Sequence, residues 1–94
     1  MKLSDYIINF LVEKGVDTAF VFTGGAIAHV IDSAGKNDGI KYICVQHEQV
    51  GAIAAEAYSR TSEKMGVAMA TSGPGATNMI TGIVGAWYDN IPAI

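Results

Sequence analysis

Ninety-four residues leave room for one small domain and exclude a second core or a linker, because domains cluster at about 100–150 residues. Half the residues are apolar, 16% are charged and the mean hydropathy is +0.30, which excludes a disordered chain and suits a piece of a larger body better than a free-standing one. The net charge of −3, with no basic run among six Lys/Arg, argues against nucleic-acid binding, which needs a clustered positive stripe.

The chain opens with one lysine followed by Asp5, which is no signal peptide, so a cytoplasmic setting is expected. Ser4 and Asp5 are candidate helix caps. Ile7, Phe10 and Leu11 then recur at helical spacing, and Gly15 predicts the stop. Residues 18–22 form a short apolar run that predicts a first strand; Thr23-Gly24-Gly25 ends it, and residues 26–33 predict a second helix. After a turn at 36–39, residues 40–45 read as a second strand, with Cys44 a small apolar residue inside it. A single cysteine forms no intrachain disulfide, and no Cys/His spacing suggests a metal site.

Val50, Ile53, Ala54, Ala57 and Tyr58 share one face of a third helix. Residues 67–71 predict a third strand, and Ser72-Gly73-Pro74-Gly75 a turn before a helix with Ile80, Ile83, Val84 and Trp87 on one face. Residues 90–94 read as a turn entering a fourth strand. No apolar stretch approaches the roughly 18–20 residues of a membrane span, so no membrane contact is expected. The strands are continuously apolar, which predicts burial on both faces. Strand–helix alternation then gives an α/β fold over residues 1–94: a doubly wound parallel sheet with helices on both faces, incomplete at its C-terminus.

In such sheets ligands bind beyond the carboxyl ends of the strands. Three strand ends carry unusual residues: Thr23-Gly24-Gly25, Gln46-His47-Glu48-Gln49, and the string from Thr71 through Ser72, Gly73, Pro74, Gly75, Ala76 and Thr77 to Asn78. All three should emerge on one side. Neither glycine loop is a known phosphate loop, since the first is not GxGxxG and the second lacks a Lys-Ser/Thr ending. Glycines at such turns also serve tight backbone geometry alone. Glu48 is the most informative residue: a carboxylate at a helix start is stabilised by the helix dipole, and facing two glycine loops it calls for a hydrogen-bonding partner such as a protonatable ring nitrogen. The competing reading is a solvated helix-start acid, and His47 reads as a surface or packing histidine.

The motifs Phe22-Thr23-Gly24-Gly25, Gln46-His47-Glu48-Gln49, Ala55-Glu56-Ala57-Tyr58-Ser59-Arg60, the Ala70–Asn78 string and Trp87-Tyr88-Asp89-Asn90-Ile91-Pro92 together resemble the pyrimidine-binding N-terminal domain of thiamine-diphosphate enzymes, in particular the acetolactate synthase and pyruvate oxidase group. The resemblance covers essentially the whole chain. It implies that Glu48 is the glutamate that hydrogen-bonds N1′ of the cofactor's aminopyrimidine, general acid–base catalysis delivered through the cofactor. It implies that Thr23, Gly24 and Gly25 lie over the pyrimidine ring, and that Thr71, Pro74 and Asn78 line the cofactor and substrate cleft. Relatives often carry proline where Thr23 stands.

By the same resemblance the diphosphate and its Mg²⁺ belong to a separate domain with a Gly-Asp-Gly motif; this chain has Asp38-Gly39 without it, and no metal ligands of its own are expected. The implied function is the N-terminal segment of a lyase or carboligase acting on a 2-oxo acid such as pyruvate, within a homo-oligomer or beside a diphosphate-binding subunit, inactive as a segment alone. A second reading is a non-catalytic truncated or split-subunit module that docks to a diphosphate-binding partner. A third, a nucleotide- or flavin-binding α/β domain, lacks its fingerprints.

Overall fold

The computed structural model describes every residue from 1 to 94. Helix α1 (Leu3–Glu13) begins two to three residues earlier than the candidate caps suggest, with Lys2 as its N-cap. Asp5, in its first turn, accepts a hydrogen bond from the Lys2 N–H at 3.1 Å. Ser4 turns inward instead, buried, and accepts from the Ser33 hydroxyl at 2.9 Å. The helix stops as expected at Gly15, whose φ of +89° suits glycine; the Val16 N–H reaches the Leu11 carbonyl and the Gly15 N–H that of Val12, both at 3.0 Å.

Strand β1 (Thr18–Val21) lies between β2 (Lys41–Cys44) and β3 (Val67–Met69), and both pairings are parallel. Thr18 to Val21 pair with Lys41 to Cys44, and Ala19 to Val21 with Val67 to Met69. Parallel neighbours need crossovers. The first is a 3₁₀ turn (Gly25–Ile27) leading into α2 (Ala28–Lys36), and the second is α3 (Glu48–Ser62). After β3 come a short α4 (Pro74–Thr77) and α5 (Ile80–Tyr88). Asn90, at φ +56°, ends α5 with the same two-bond stop as Gly15: Asn90 donates to Trp87 at 3.2 Å and Ile91 to Ala86 at 2.9 Å. The expected fourth strand is present as one parallel bridge, Ala93 to Gly66.

Alternate strand residues point to opposite faces. Ala19 and Val21 join Ile8, Leu11, Val16, Ala34, Ile40 and Val67 in the main core beneath α1 and α2. Phe20 points the other way, edge-on to Tyr58 of α3 with ring centroids 6.2 Å apart. Helices therefore cover both faces of a parallel sheet. No helix is long and apolar enough to cross a membrane.

Two expectations about burial fail. All four residues of β2 are exposed, Cys44 among them, because β2 is the sheet's edge and α3 on leaving it packs over β1 and β3. The large apolar residues of α3 and α5 do not form the buried faces either. α3 buries Glu48, Gly51, Ala52, Ala55 and Ser59, while Val50 and Ile53 are exposed; α5 buries Gly82 and Ala86, while Ile80, Ile83, Val84 and Trp87 are exposed. Close approach is the cause. A Cβ on Gly82 would stand 2.4 Å from the Ala52 Cβ, and one on Gly66 only 2.1 Å from the Ala55 carbonyl oxygen. Helices this close to a neighbour admit only small side chains, so the bulky ones point away. Arg60 of α3 adds a polar tie, pairing with Glu56 at 3.1 Å and with Asp89 at the end of α5.

At the opposite end of the sheet Asp17 accepts hydrogen bonds from Lys64 at 2.6 Å, from Tyr58 and from Thr18 at 3.1 Å. Lys64 first, then Tyr58, lower its carboxyl to about 2. A carboxylate held below its unfolded value stabilises the fold above that value and loses the contribution as pH falls through the folded one. Asp17→Asn should therefore be less stable at neutral pH and lose less stability than wild type between about pH 4 and pH 2, read by denaturant unfolding across that range. Packing gives a second expectation. Gly66→Ala should lower stability by about 1–3 kcal/mol through overpacking. Gly85→Ala, whose nearest contact is an ordinary 3.9 Å to Glu56, should instead raise it by up to about 1 kcal/mol through helix propensity. Urea unfolding distinguishes the two signs.

Candidate functional site

Because the three strands run the same way, their carboxyl ends share one edge, and the loops that leave them meet. From β1, the Phe22 N–H makes a last ladder bond to the Met69 carbonyl at 3.1 Å, after which Thr23, Gly24 and Gly25 turn into the 3₁₀ segment. From β3, the chain leaves the ladder after Met69, two residues sooner than expected, so that Thr71 can face the first loop. Thr71 Oγ1 accepts from the Ala26 N–H at 3.3 Å. A Cβ on Gly24 would stand 2.5 Å from the Thr71 Cβ, so glycine there is required by the contact between loops rather than by its backbone angles. Gly73, at φ +77°, then turns the chain so that Pro74 can open α4, where a missing N–H costs nothing.

The loop from β2 brings the charge. His47 caps α3: its Nδ1 accepts the Gln49 N–H at 3.0 Å. That exposed histidine is thus a capping group, an exposed surface role as expected. Glu48 is the first residue of α3 and is 9% exposed, so the solvated helix-start reading does not hold. Its Oε1 accepts from Asn78 Nδ2 at 3.1 Å. Oε2 receives no hydrogen bond from another residue and lies next to Gly75. Its own backbone N–H, and after it the Asn78 amide, hold the Glu48 carboxyl below its ordinary value; burial opposes them and His47 adds a lesser lowering. The group is a carboxylate at neutral pH, with Oε1 held by Asn78 and Oε2 without a partner from another residue, so Oε2 retains capacity to accept.

Gly75, buried, closes the arrangement. A Cβ there would come within 3.0 Å of Thr71 Cγ2 and 3.4 Å of Glu48 Oε2. Of the residues singled out in the sequence, Gly24, Thr71, Glu48 and Asn78 are brought together. Thr23, Gly25 and Pro74 stay exposed in their loops, and the space a Cβ on Gly25 would enter is open. Gly75 and the Ala26 N–H are additions; the Gly-Pro-Gly string signals the first, while nothing in the sequence marks a backbone donor. An apolar cavity of about 270 Å³ lies elsewhere, between α3, α5 and residues 91–94.

The family described as thiamine pyrophosphate enzyme, N-terminal TPP binding domain, matches residues 1–94. The chain belongs to this family. As a thiamine pyrophosphate enzyme domain it is similar to the acetolactate synthase large subunit of Buchnera aphidicola subsp. Acyrthosiphon pisum, 41% identical over 91 residues that cover 97% of this chain and 16% of the relative. The chloroplastic acetolactate synthase of Arabidopsis thaliana is 39% identical over 93 residues, 99% of this chain and 14% of the relative. The acetolactate synthase isozyme 2 large subunit of Escherichia coli K12 is 43% identical over 94 residues, 100% of this chain and 17% of the relative. The chain thus spans between 14% and 17% of the length of these relatives.

The loop contacts predict opposite outcomes at adjacent glycines of this thiamine pyrophosphate enzyme domain. Gly24→Ala should force the first and third loops apart and cost about 1–3 kcal/mol. Gly25→Ala should change stability by no more than about 0.5 kcal/mol. Chemical unfolding of the two variants reads the difference.

Proposed function

We propose that residues 1–94 form the N-terminal part of the aminopyrimidine-binding domain of a thiamine-diphosphate-dependent acetolactate synthase, a transferase and lyase that acts on 2-oxo acids such as pyruvate. The observation that carries this reading is Glu48: a carboxylate with one oxygen held by Asn78 and the other beside Gly75, in a loop that Thr71 joins to Gly24. These residues fit the cofactor's aminopyrimidine. A flat ring needs a floor without side chains, which the open backbone at Gly25 offers, and its ring nitrogen needs an anionic acceptor, which Oε2 offers beside Gly75. When bound, thiamine diphosphate supplies the nucleophilic carbon and electron sink for cleaving the bond between the carboxylate and keto carbons.

The chain's own part is narrower. Glu48 holds a proton shared with N1′ of the pyrimidine, and a charge-assisted hydrogen bond of this kind is about twice as strong as a neutral one. Thr23, Gly24 and Gly25 cover the ring, and Thr71, packed against Gly24, and Pro74 line the cleft beside them. The diphosphate and Mg²⁺ fall, in this proposal, to another domain or to another subunit of a homo-oligomer. The exposed row Ile80, Ile83, Val84 and Trp87 on α5 supports such a contact, since contiguous apolar surface marks an interaction face. A cytoplasmic setting is supported by the unpaired, exposed Cys44, which suits a reducing compartment.

The test is hydrogen–deuterium exchange at the thiazolium C2 of bound cofactor, followed by NMR in the protein that carries this chain. Glu48→Gln keeps size and hydrogen-bonding capacity but removes the charge, and should slow exchange by roughly a hundredfold or more at matched saturation. Cofactor affinity should change far less. Unchanged exchange would mean that Glu48 serves only the start of α3.

A further inference from the structure

The contact between Asn78 and Glu48 joins residues thirty positions apart and is the only hydrogen bond that another residue's side chain gives to this carboxylate. We propose that Asn78 is a positioning residue, which works through Glu48 by holding Oε1 so that Oε2 alone is presented to the bound pyrimidine, rather than by touching the cofactor or substrate itself. This rests on the reading of Glu48 as the group that meets N1′, and replaces the cleft-lining part assigned to Asn78 above.

Three observations carry it. The first is direction: Asn78 Nδ2 points at Oε1 from 3.1 Å, and a carboxylate can only accept, so the amide nitrogen is the atom that must face it. The second is the backbone that aims it. Asn78 follows the last residue of α4, its N–H bonded to the Pro74 carbonyl at 3.1 Å, at the junction where the chain passes through Met79 into α5. Pro74 and the left-handed Gly73 fix where that single turn starts, and the turn fixes Asn78. The third is the surroundings of Glu48. The loop from Thr71 to Asn78 holds no acid or base, nor does the stretch from Thr23 to Ala28, and His47 is the titratable neighbour on its own element. A neutral donor is thus what the opposing loop supplies, and it favours the ionised carboxyl without cancelling its charge.

Holding one oxygen also removes a freedom. An unheld glutamate at a helix start samples several rotamers, each of which points its oxygens elsewhere, and small errors in aim at a reacting group are costly. With Oε1 held by Asn78, rotation about the last side-chain bond is restricted, and so is the direction of Oε2.

The experiment uses the complete protein in two forms. In the cofactor-free protein with carboxyl-labelled glutamate, the ¹³C titration of Glu48 should move upward in Asn78→Ala through loss of the donor. It should move further upward in Asn78→Asp, a near-isostere that sets a second acid against it. In the holoenzyme, Asn78→Ala should slow C2 exchange by roughly tenfold or more, with cofactor affinity little changed. Combined with Glu48→Gln, it should slow exchange no further, because its route of action is already gone. A Glu48 titration that stays put in both Asn78 variants would overturn the proposal, as would a slowing of equal size in the Glu48→Gln background. Should Glu48→Gln alone leave exchange unchanged, the reading of Glu48 falls and this proposal with it, whereas failure of the titration alone removes only Asn78's part.

Discussion

The site depends on one constraint of the backbone: β1 lies between β2 and β3, and all three run in the same direction. An antiparallel neighbour would send one of the three loops to the far edge of the sheet. With parallel neighbours, the loop after each strand is a strand-to-helix turn, and each brings something different. The first brings bare glycine backbone, the second the N-terminus of α3 with its carboxylate, and the third the threonine and asparagine that touch the other two. Thr71 is the contact between the first and third loops, and Asn78 between the third and second. The cluster is held by its edges, while the backbone at Gly25 faces open space.

The helices answer to a second constraint, closeness. α3 approaches β3 until Gly66 lies against the Ala55 carbonyl, and α5 approaches α3 until Gly82 lies against Ala52. Glycine and alanine bury little area each, so the stabilisation here comes from dense contact along backbones more than from large side chains leaving water. The large side chains form the outer surface instead, with Trp87 and Tyr88 of α5 each 73% exposed. The same close packing that secures α3, and with it the position of Glu48, therefore produces the chain's apolar exterior. Stability and stickiness have one origin.

Much of this is legible in the sequence where the cause is local. Gly15 needs its left-handed backbone, Thr18 to Val21 need a strand, and strand–helix alternation needs a parallel sheet; from these follow the shared edge and the meeting of the three loops. Burial is not legible in the same way. Helical periodicity marks Val50 and Ile53 as a face, but which face of α3 is covered depends on how near β3 and α5 come, and that is set by glycines far along the chain. β2 reads as a buried strand because most of its residues are apolar, but its place at the edge leaves all four exposed. At the site, Glu48 and Asn78 are both conspicuous, but no pattern shows that they bond to each other, since that pairing is made by the α4 turn in space.

In the function proposed for this chain, Glu48 Oε2 shares a proton with the pyrimidine nitrogen of bound thiamine diphosphate. The most direct measurement is the ¹⁵N chemical shift of N1′ in labelled cofactor, free and bound to the complete protein at a pH where the free ring is unprotonated. A proton shared with Glu48 should move the N1′ resonance markedly upfield on binding, toward that of the protonated ring. A bound N1′ that keeps the shift of the free cofactor would contradict it.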